Sequence, residues 1–319
     1  MNQAGKTSWK LRGWIALLAA MGCWAFYSIS IEGFSQLLTL PQQQAFRQYS
    51  AVLVIGVIVA LRHGIARAKG ASLVTGLRWP QTRLELGVVI AACTLVPLTE
   101  ACFIGSIYLI PVGLTSTLVG VFPGLFSVAL LGLLPFTRKH LRLRKPFWLG
   151  LTGCVAGFLL INLPRLELDH SLNWGGTGLA LLASFLWACY AMLNQRLALW
   201  GWSSLEIMVW ISSASGLCYT GLMVIVKAGI PHLTLMQWLI LFGSGIAAGV
   251  LSHWLFNEAI RSLGSVIASI GTVFESTLVI MASALFLHQY LNPVQLLGVG
   301  LLLIGSLGVY LNPAHPSAG

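Results

Sequence analysis

Long apolar stretches alternate along this chain with short breaks that are polar, charged or proline-containing, and most stretches are about the length of a membrane crossing. A helix rising 1.5 Å per residue needs about 20 predominantly apolar residues to cross a hydrocarbon layer, where it satisfies its own backbone hydrogen bonds. Cutting the chain at its breaks predicts ten such helices, at 14–31, 45–61, 86–108, 112–134, 147–163, 178–199, 205–226, 235–260, 265–287 and 294–311. The second is the shortest. The pattern therefore predicts an all-α membrane protein.

The polar breaks are not equivalent. Of the 18 Lys and Arg residues, 15 fall in alternate breaks or, for Arg196, at the adjoining end of a stretch, starting with Lys6, Lys10 and Arg12 in the N-terminal tail. The intervening breaks hold only Arg165 and Lys227, and Arg47 lies at the start of the second stretch. Because cytoplasmic loops carry the excess of basic residues, the reading is a multi-pass protein of the cell inner membrane with both termini in the cytoplasm. The basic N-terminus before an apolar run is like a signal peptide, and Ala20-Met21-Gly22-Cys23 is a weak lipoprotein-type cleavage signal. The run continues to Ile31 and nine more follow, so retention as the first spanning helix is expected.

Composition narrows the classes further. Charged residues number 26 of 319, against roughly 80 for a soluble domain of this size, which excludes a soluble enzyme. A hydrophobic content of 57% excludes a disordered chain, and six cysteines are too few for a disulfide scaffold. The net charge of +10 would suggest nucleic acid in a soluble protein, but here it is carried by short topology-setting clusters, and no nucleic-acid partner is expected. Cys23, Cys93, Cys102, Cys154, Cys189 and Cys218 lie in apolar runs without Cys-x-x-Cys or Cys/His spacing, so they read as packing residues and no metal site is expected. Walker loops, His-Glu-x-x-His zinc motifs, nucleophile elbows and dinucleotide fingerprints are absent, and neither a cofactor nor an enzymatic activity is expected.

The chain carries an internal repeat. Trp24-Ala25-Phe26-Tyr27 follows an Ala-Leu-Leu-Ala run at 16–19, and Trp187-Ala188-Cys189-Tyr190 follows the same run at 180–183. Further along, Val121-Phe122-Pro123 corresponds to Val273-Phe274-Glu275. Each half then holds five helices, and an odd number forces the halves to cross the membrane in opposite senses, as two inverted five-helix repeats. The boundaries on this reading are a tail at 1–13, a first repeat at 14–163, an external linker at 164–177, a second repeat at 178–311 and a tail at 312–319. Exchanging the conformations of two such halves turns an inward-facing cavity outward, so transport by alternating access is the expected function. An intramembrane enzyme acting on lipid and a non-transporting receptor or assembly subunit are the rival readings.

Several stretches resemble the EamA-type transporters of the drug/metabolite transporter superfamily over roughly residues 13 to 311. They are Trp254-Leu255-Phe256-Asn257-Glu258-Ala259-Ile260-Arg261-Ser262-Leu263-Gly264, the following Phe274-Glu275, Gln295-Leu296-Leu297-Gly298, and Ser106-Ile107-Tyr108-Leu109-Ile110-Pro111 in the first half. This chain departs from the family pattern at Ser276, where Pro is usual, and at His288-Gln289 and Pro135-Phe136-Thr137-Arg138, where Gly-Glu is usual. The resemblance implies a central cavity lined mainly by the first, third, fourth, sixth, eighth and ninth helices. The fifth and tenth would lie to the side. It implies export of an amino acid, another metabolite or a toxic organic compound, or import of a metabolite, without an organic cofactor.

Ionisable residues within the spans are the most informative about a site, because an ion at mid-membrane depth costs on the order of 2.5–3.5 kcal/mol by insertion scales. Glu275 falls near the middle of the ninth helix and is a candidate for a coupling proton or a substrate ammonium. Glu100 follows Pro97 in the third helix and is a candidate cavity-facing acid. Trp24 and Tyr27, and likewise Trp187 and Tyr190, are three apart and share a helix face, which suits two aromatic walls for stacking or cation–π contact. His253 and Asn257 share a face of the eighth helix, with His253 able to take part in proton transfer. Glu258 and Arg261 are expected to form a local ion pair or inner gate, and Pro123 a gating kink. Arg47, preceded by Gln42, Gln43 and Gln44, is expected to snorkel to the interface, with attraction of a substrate carboxylate as the alternative. Trp14, Trp148, Trp200, Trp202 and Trp238 read as interfacial belt residues. Gly120/Gly124, Gly153/Gly157 and Gly245/Gly249 permit close helix contact. The expected partners are a small-molecule substrate, the lipid bilayer and protons, and a homodimer is open.

Overall fold

The computed structural model describes residues 3–68, 78–133, 145–168, 173–286 and 292–310. Regular structure in them is helical: α1 (Gln3–Phe34), α2 (Leu40–Ala68), α3 (Arg83–Ile107), α4 (Val112–Leu133), α5 (Lys145–Leu168), α6 (Trp174–Leu199), α7 (Ser204–Ile225), α8 (Leu235–Ile246), a π-helical segment (Ala247–Ser252), α9 (His253–Leu263), α10 (Ser265–Gly271), α11 (Val273–Phe286) and α12 (Pro293–Tyr310). Lys69, the stretch Pro135-Phe136-Thr137-Arg138 with Lys139, Arg142 and Arg144, His288-Gln289 and the tail 312–319 lie outside the described residues. Among the described residues, seven helical runs are long and apolar enough to cross a membrane, and Val112–Ser127 and Trp148–Leu160 are shorter apolar helices. The protein is an all-helical, multi-pass membrane protein.

Local chemistry marks several helix starts. Ser203 and Glu206, and likewise Thr234 and Gln237, form reciprocal capping boxes at the starts of α7 and α8, satisfying amides that no preceding turn can reach. Thr82 caps α3 through the Glu85 amide, and Asn173 caps α6 through the Gly176 amide. Gly264 ends α9 with φ 89°, a backbone region that favours glycine.

Three elements differ from the pattern-based expectation. α2 starts at Leu40, so Gln42, Gln43 and Gln44 are helical and not loop; the latter two are buried in the bundle, where Gln43 bonds to Arg47 and Tyr108. α5 runs past Pro164 to Leu168 and α6 starts at Trp174, because charged residues end a hydrocarbon crossing without ending a helix. The ninth predicted run is interrupted at Thr272, whose hydroxyl meets the Ser269 carbonyl at 2.6 Å and the Gly120 carbonyl of α4 at 2.9 Å.

Packing is selective. α1 lies against α9 and α11, α3 against α6 and α7, α4 against α6, α10 and α11, and α2 against α7 and α8. α5 and α12 pack chiefly on each other. Small residues set the close approaches: a Cβ on Gly245 would come 2.6 Å from the Arg47 Cα, and one on Gly305 would come 2.6 Å from the Cys154 nitrogen. The first fixes α8 against α2 and the second α12 against α5. An apolar core that includes Leu17, Met21, Ile31, Ile104 and Phe256 surrounds the middle of α1.

Candidate functional site

At that level the helices enclose a cavity of about 70 Å³. This is room for about five water molecules, or for a small charged group, at ~10–15 Å³ each. α1 contributes Trp24 and Tyr27, α3 contributes Thr99, Glu100 and Phe103, and α4 contributes Val119. The opposite wall comes from Trp187 of α6, Ala248 of the π segment, His253 of α9, Thr272 at the α10–α11 break and Glu275 of α11. The π segment widens the helix just before His253, and such insertions into the helical ladder recur at functional sites.

The rings form one connected cluster. Trp24 meets Trp187 edge-to-face at 5.1 Å, and both contact Phe256, at 5.1 and 5.3 Å. His253 lies 5.7 Å from Trp24 and 5.8 Å from Trp187. Tyr27 stacks with Phe103 at 6.4 Å and 14°. Its hydroxyl and the His253 Nδ1 are buried without a hydrogen-bond partner.

The two carboxyls are held differently. Glu275 stands in the first turn of α11, where the break at Thr272 places a helix N-terminus beside it, and its Oε1 accepts from the Ser28 hydroxyl at 3.3 Å. Glu100 accepts from the Gln48 amide at 3.0 and 3.3 Å on its two oxygens. Gln48 belongs to a polar network on α2. Arg47, 2% exposed, donates from Nε to Ser244 at 3.0 Å, from Nη1 to Gln43 at 2.6 Å and from Nη2 to Ser30 at 3.0 Å. Its guanidinium lies 5.1 Å from the Tyr27 ring centroid. Gln43 donates to the Tyr108 hydroxyl at 2.7 Å, which in turn donates to the Leu38 carbonyl at 2.7 Å.

Six of the residues singled out by sequence, Trp24, Tyr27, Glu100, Trp187, His253 and Glu275, thus meet at one cavity. Tyr190 stands behind Trp187 at 5.1 Å, fully buried. Asn257 lies one turn beyond His253 and accepts from Asn194, and Pro123 is buried in α4 away from the cavity lining. Glu258 and Arg261 do not pair. Glu258 accepts from Ser204 at 2.8 Å, while Arg261 donates to the Trp202 carbonyl, so the expected local ion pair is replaced by contacts to the α6–α7 turn and the start of α7. Arg47 does not snorkel, because Ser30, Gln43 and Ser244 engage it inside the bundle. Trp202 is no belt residue either; it is fully buried, with the Arg78 guanidinium 5.4 Å from its ring. Among the described residues the ion pair observed is Arg78–Glu85, at 2.9 Å.

Sequence reasoning overlooked Thr99, Phe103, Thr272, Ser28 and the α2 network. A signal for the last was present: Gln43 and Arg47, and Gln44 and Gln48, are each four apart, two adjacent polar rows on a helix that lipid would reject.

Residues 174–311 match the family model described as the EamA-like transporter family. Across these residues the chain is similar to that family. The EamA-matched segment supplies α6 to α12, and with them Trp187, His253 and Glu275 of the cavity wall. A comparison with curated proteins found no match. Among solved structures 28 chains match. One, described only as the crystal structure of a protein, has a TM-score of 0.68 at 15% identity, over 95% of this chain and 98% of its own. At that identity the likeness establishes a shared fold and leaves cargo to be argued from the site.

Proposed function

We propose that this protein is a secondary transporter that moves a small polar or amphipathic metabolite, such as an amino acid or a related compound, across the cytoplasmic membrane by alternating access, in the direction of export and with proton coupling. The observation that carries this reading is the cavity at the centre of the bundle, which brings two intramembrane carboxyls together with an aromatic frame. Ionisable groups at such a depth are costly and mark substrate or ion pathways.

The reading includes ten spanning helices in two inverted repeats, 14–163 and 178–311, with both termini cytoplasmic. Here α8, the π segment and α9 count as the eighth span, and α10 with α11 as the ninth. The packing pairs support it because they are reciprocal. Exchanging the halves turns the α3–α6 contact into α1–α9, α4–α6 into the α1 contact with α11, and α2–α8 into α3–α7, while α2–α7 and α5–α12 map onto themselves. A bundle with this reciprocity has two related conformations available to it, one open to each side. On this reading Glu275 and Glu100 receive a cation or proton, Trp24, Tyr27 and Trp187 shape the cargo pocket with Tyr190 behind them, His253 and Asn257 extend it, and Pro123, Glu258 and Arg261 act in gating.

The test is flux into proteoliposomes across a panel of amino acids, amines and nucleosides, with wild type beside Glu275→Gln. The expected result is cargo-specific flux that the substitution abolishes or strips of its pH dependence. Unchanged flux and an unchanged pH profile would remove Glu275 from the mechanism.

A further inference from the structure

We infer that the cavity is shut by two matching clasps. The outer one joins Tyr108 to the Leu38 carbonyl and Phe46 to Trp238, and the inner one joins Arg261 to the Trp202 carbonyl and Trp210 to Trp79. The inference rests on the transport reading and supplies its two gates, with outer and inner following from the cytoplasmic placement of the basic breaks.

The match is one of position. The same shift in numbering takes Leu38 of the α1–α2 turn to Trp202 of the α6–α7 turn, and Phe46 of α2 to Trp210 of α7. Each turn carbonyl is taken by a side chain at the end of a helix. The Tyr108 hydroxyl donates to Leu38 at 2.7 Å, and Arg261 donates to Trp202. Counted from the Thr82 and Thr234 caps, Arg261 lies one residue further along than Tyr108, and the π segment between α8 and α9 accommodates that residue. Phe46 meets Trp238 edge-to-face at 5.0 Å and 80°, and Trp210 meets Trp79 at 5.0 Å and 85°. A backbone contact fastens each connecting segment as well: Gln42 donates to the Gly229 carbonyl at 2.8 Å, and Trp210 Nε1 to the Arg78 carbonyl at 3.2 Å.

Both clasps fasten helices that line the cavity. The outer one ties the end of α3 to the turn leaving α1, and the inner one ties the end of α9 to the turn leaving α6. Those four helices carry Glu100, Tyr27, His253 and Trp187 of the lining. By helix rise, Tyr108 stands about 7 Å beyond Phe103 and Arg261 about 12 Å beyond His253, so the two clasps bracket the cavity from opposite faces on the two-repeat reading. Releasing one lets a pair of lining helices part at one face while the other pair stays joined. Leu38 and Trp202 are buried anchors, whereas Tyr108, Phe46, Trp210 and Trp238 are half-buried and Trp79 and Arg261 are exposed, so opening uncovers little core.

The test uses the full-length protein with its six free cysteines replaced and Thr99→Cys as a reporter in the lining. A membrane-impermeant thiol reagent is applied to spheroplasts for the outer face and to inside-out vesicles for the inner face. Tyr108→Phe removes the outer donor and should speed labelling from outside by about two- to tenfold, the range for loss of one hydrogen bond, without speeding it from inside. Arg261→Met should do the reverse, and Arg261→Lys, which keeps a donor, should label like the parent. Trp238→Ala and Trp79→Ala should reproduce the outer and the inner effect. Equal acceleration from both faces, as general loosening would give, or none from either, would overturn the inference. If Arg261→Met does not fold, the exposed Trp79 decides for the inner clasp. A parent labelled from both faces, with a ratio that no variant moves, would refute the clasps and leave alternating access standing. A parent labelled from one face alone would refute alternating access, and the clasps would then stand only if the variant at the closed face admitted reagent there.

Discussion

The two proposed halves of the molecule carry the same Trp-x-x-Tyr spacing, with each tryptophan at the cavity, and then treat the tyrosine differently. In residues 11–68 the pair is Trp24 and Tyr27, with the tyrosine on the cavity wall, its hydroxyl unpartnered and an arginine behind its ring. In the second half it is Trp187 and Tyr190, with the tyrosine withdrawn, fully buried and accepting from Asn194 at 3.3 Å. The charges part in the same way: the first half ties Arg47 and Glu100 into a glutamine and serine network, while the second leaves Glu275 with a weak hydroxyl contact and His253 with a free Nδ1. On the two-repeat organisation proposed above, repetition accounts for the frame and not for the chemistry placed on it. A frame of similar halves can rock between two states, while unequal polar groups give the cargo one preferred orientation.

The largest effects should come from the shared frame. Trp187→Ala and Trp24→Ala each remove a ring that contacts the other, His253 and Phe256, and each should lower stability by about 3–5 kcal/mol, read by denaturant titration in detergent. If only one of them did so, the frame would not be common to both halves. Next comes Gly245→Ala, whose added methyl meets the Arg47 backbone; overpacking by about 1–3 kcal/mol should lower the melting temperature. A neutral result would mean that α8 and α2 separate at little cost. The smallest effect sharpens the comparison most. Tyr190→Phe deletes an acceptor of Asn194 one turn along α6 and should cost about 0.2–0.5 kcal/mol, typical of a side-chain pair four apart on one helix. Tyr27→Phe deletes a hydroxyl without a partner, so it should leave stability unchanged while altering ligand affinity in the same preparation.

Much of this was legible before any coordinates. Apolar run length gives the helices because the bilayer sets one length scale, and the rarity of intramembrane acids singles out Glu275 and Glu100. The Trp-x-x-Tyr spacing places each pair on one face, and it brings Trp24 and Trp187 to the same cavity. What the sequence hides depends on which neighbour arrives. Arg47 reads as a snorkelling residue because its position near a helix start offers water, and only Ser244, almost 200 residues away in sequence, and Ser30 make burial feasible. Glu258 and Arg261 have the spacing of an ion pair, but Ser204 and the Trp202 carbonyl compete successfully for them. The break at Thr272 coincides with a hydroxyl shared between the Ser269 carbonyl and the Gly120 carbonyl of α4, a contact that apolar periodicity does not register.

The central claim is that the cavity between α1, α3, α6, α9 and α11 opens to each side of the membrane in turn. The direct measurement is side-specific labelling of Thr99→Cys, which lines the cavity, after replacement of the six free cysteines. A membrane-impermeant thiol reagent should label Cys at this site when applied from either side, and a transported cargo should slow labelling from both. Labelling from one side alone, unaffected by any cargo, would contradict the account.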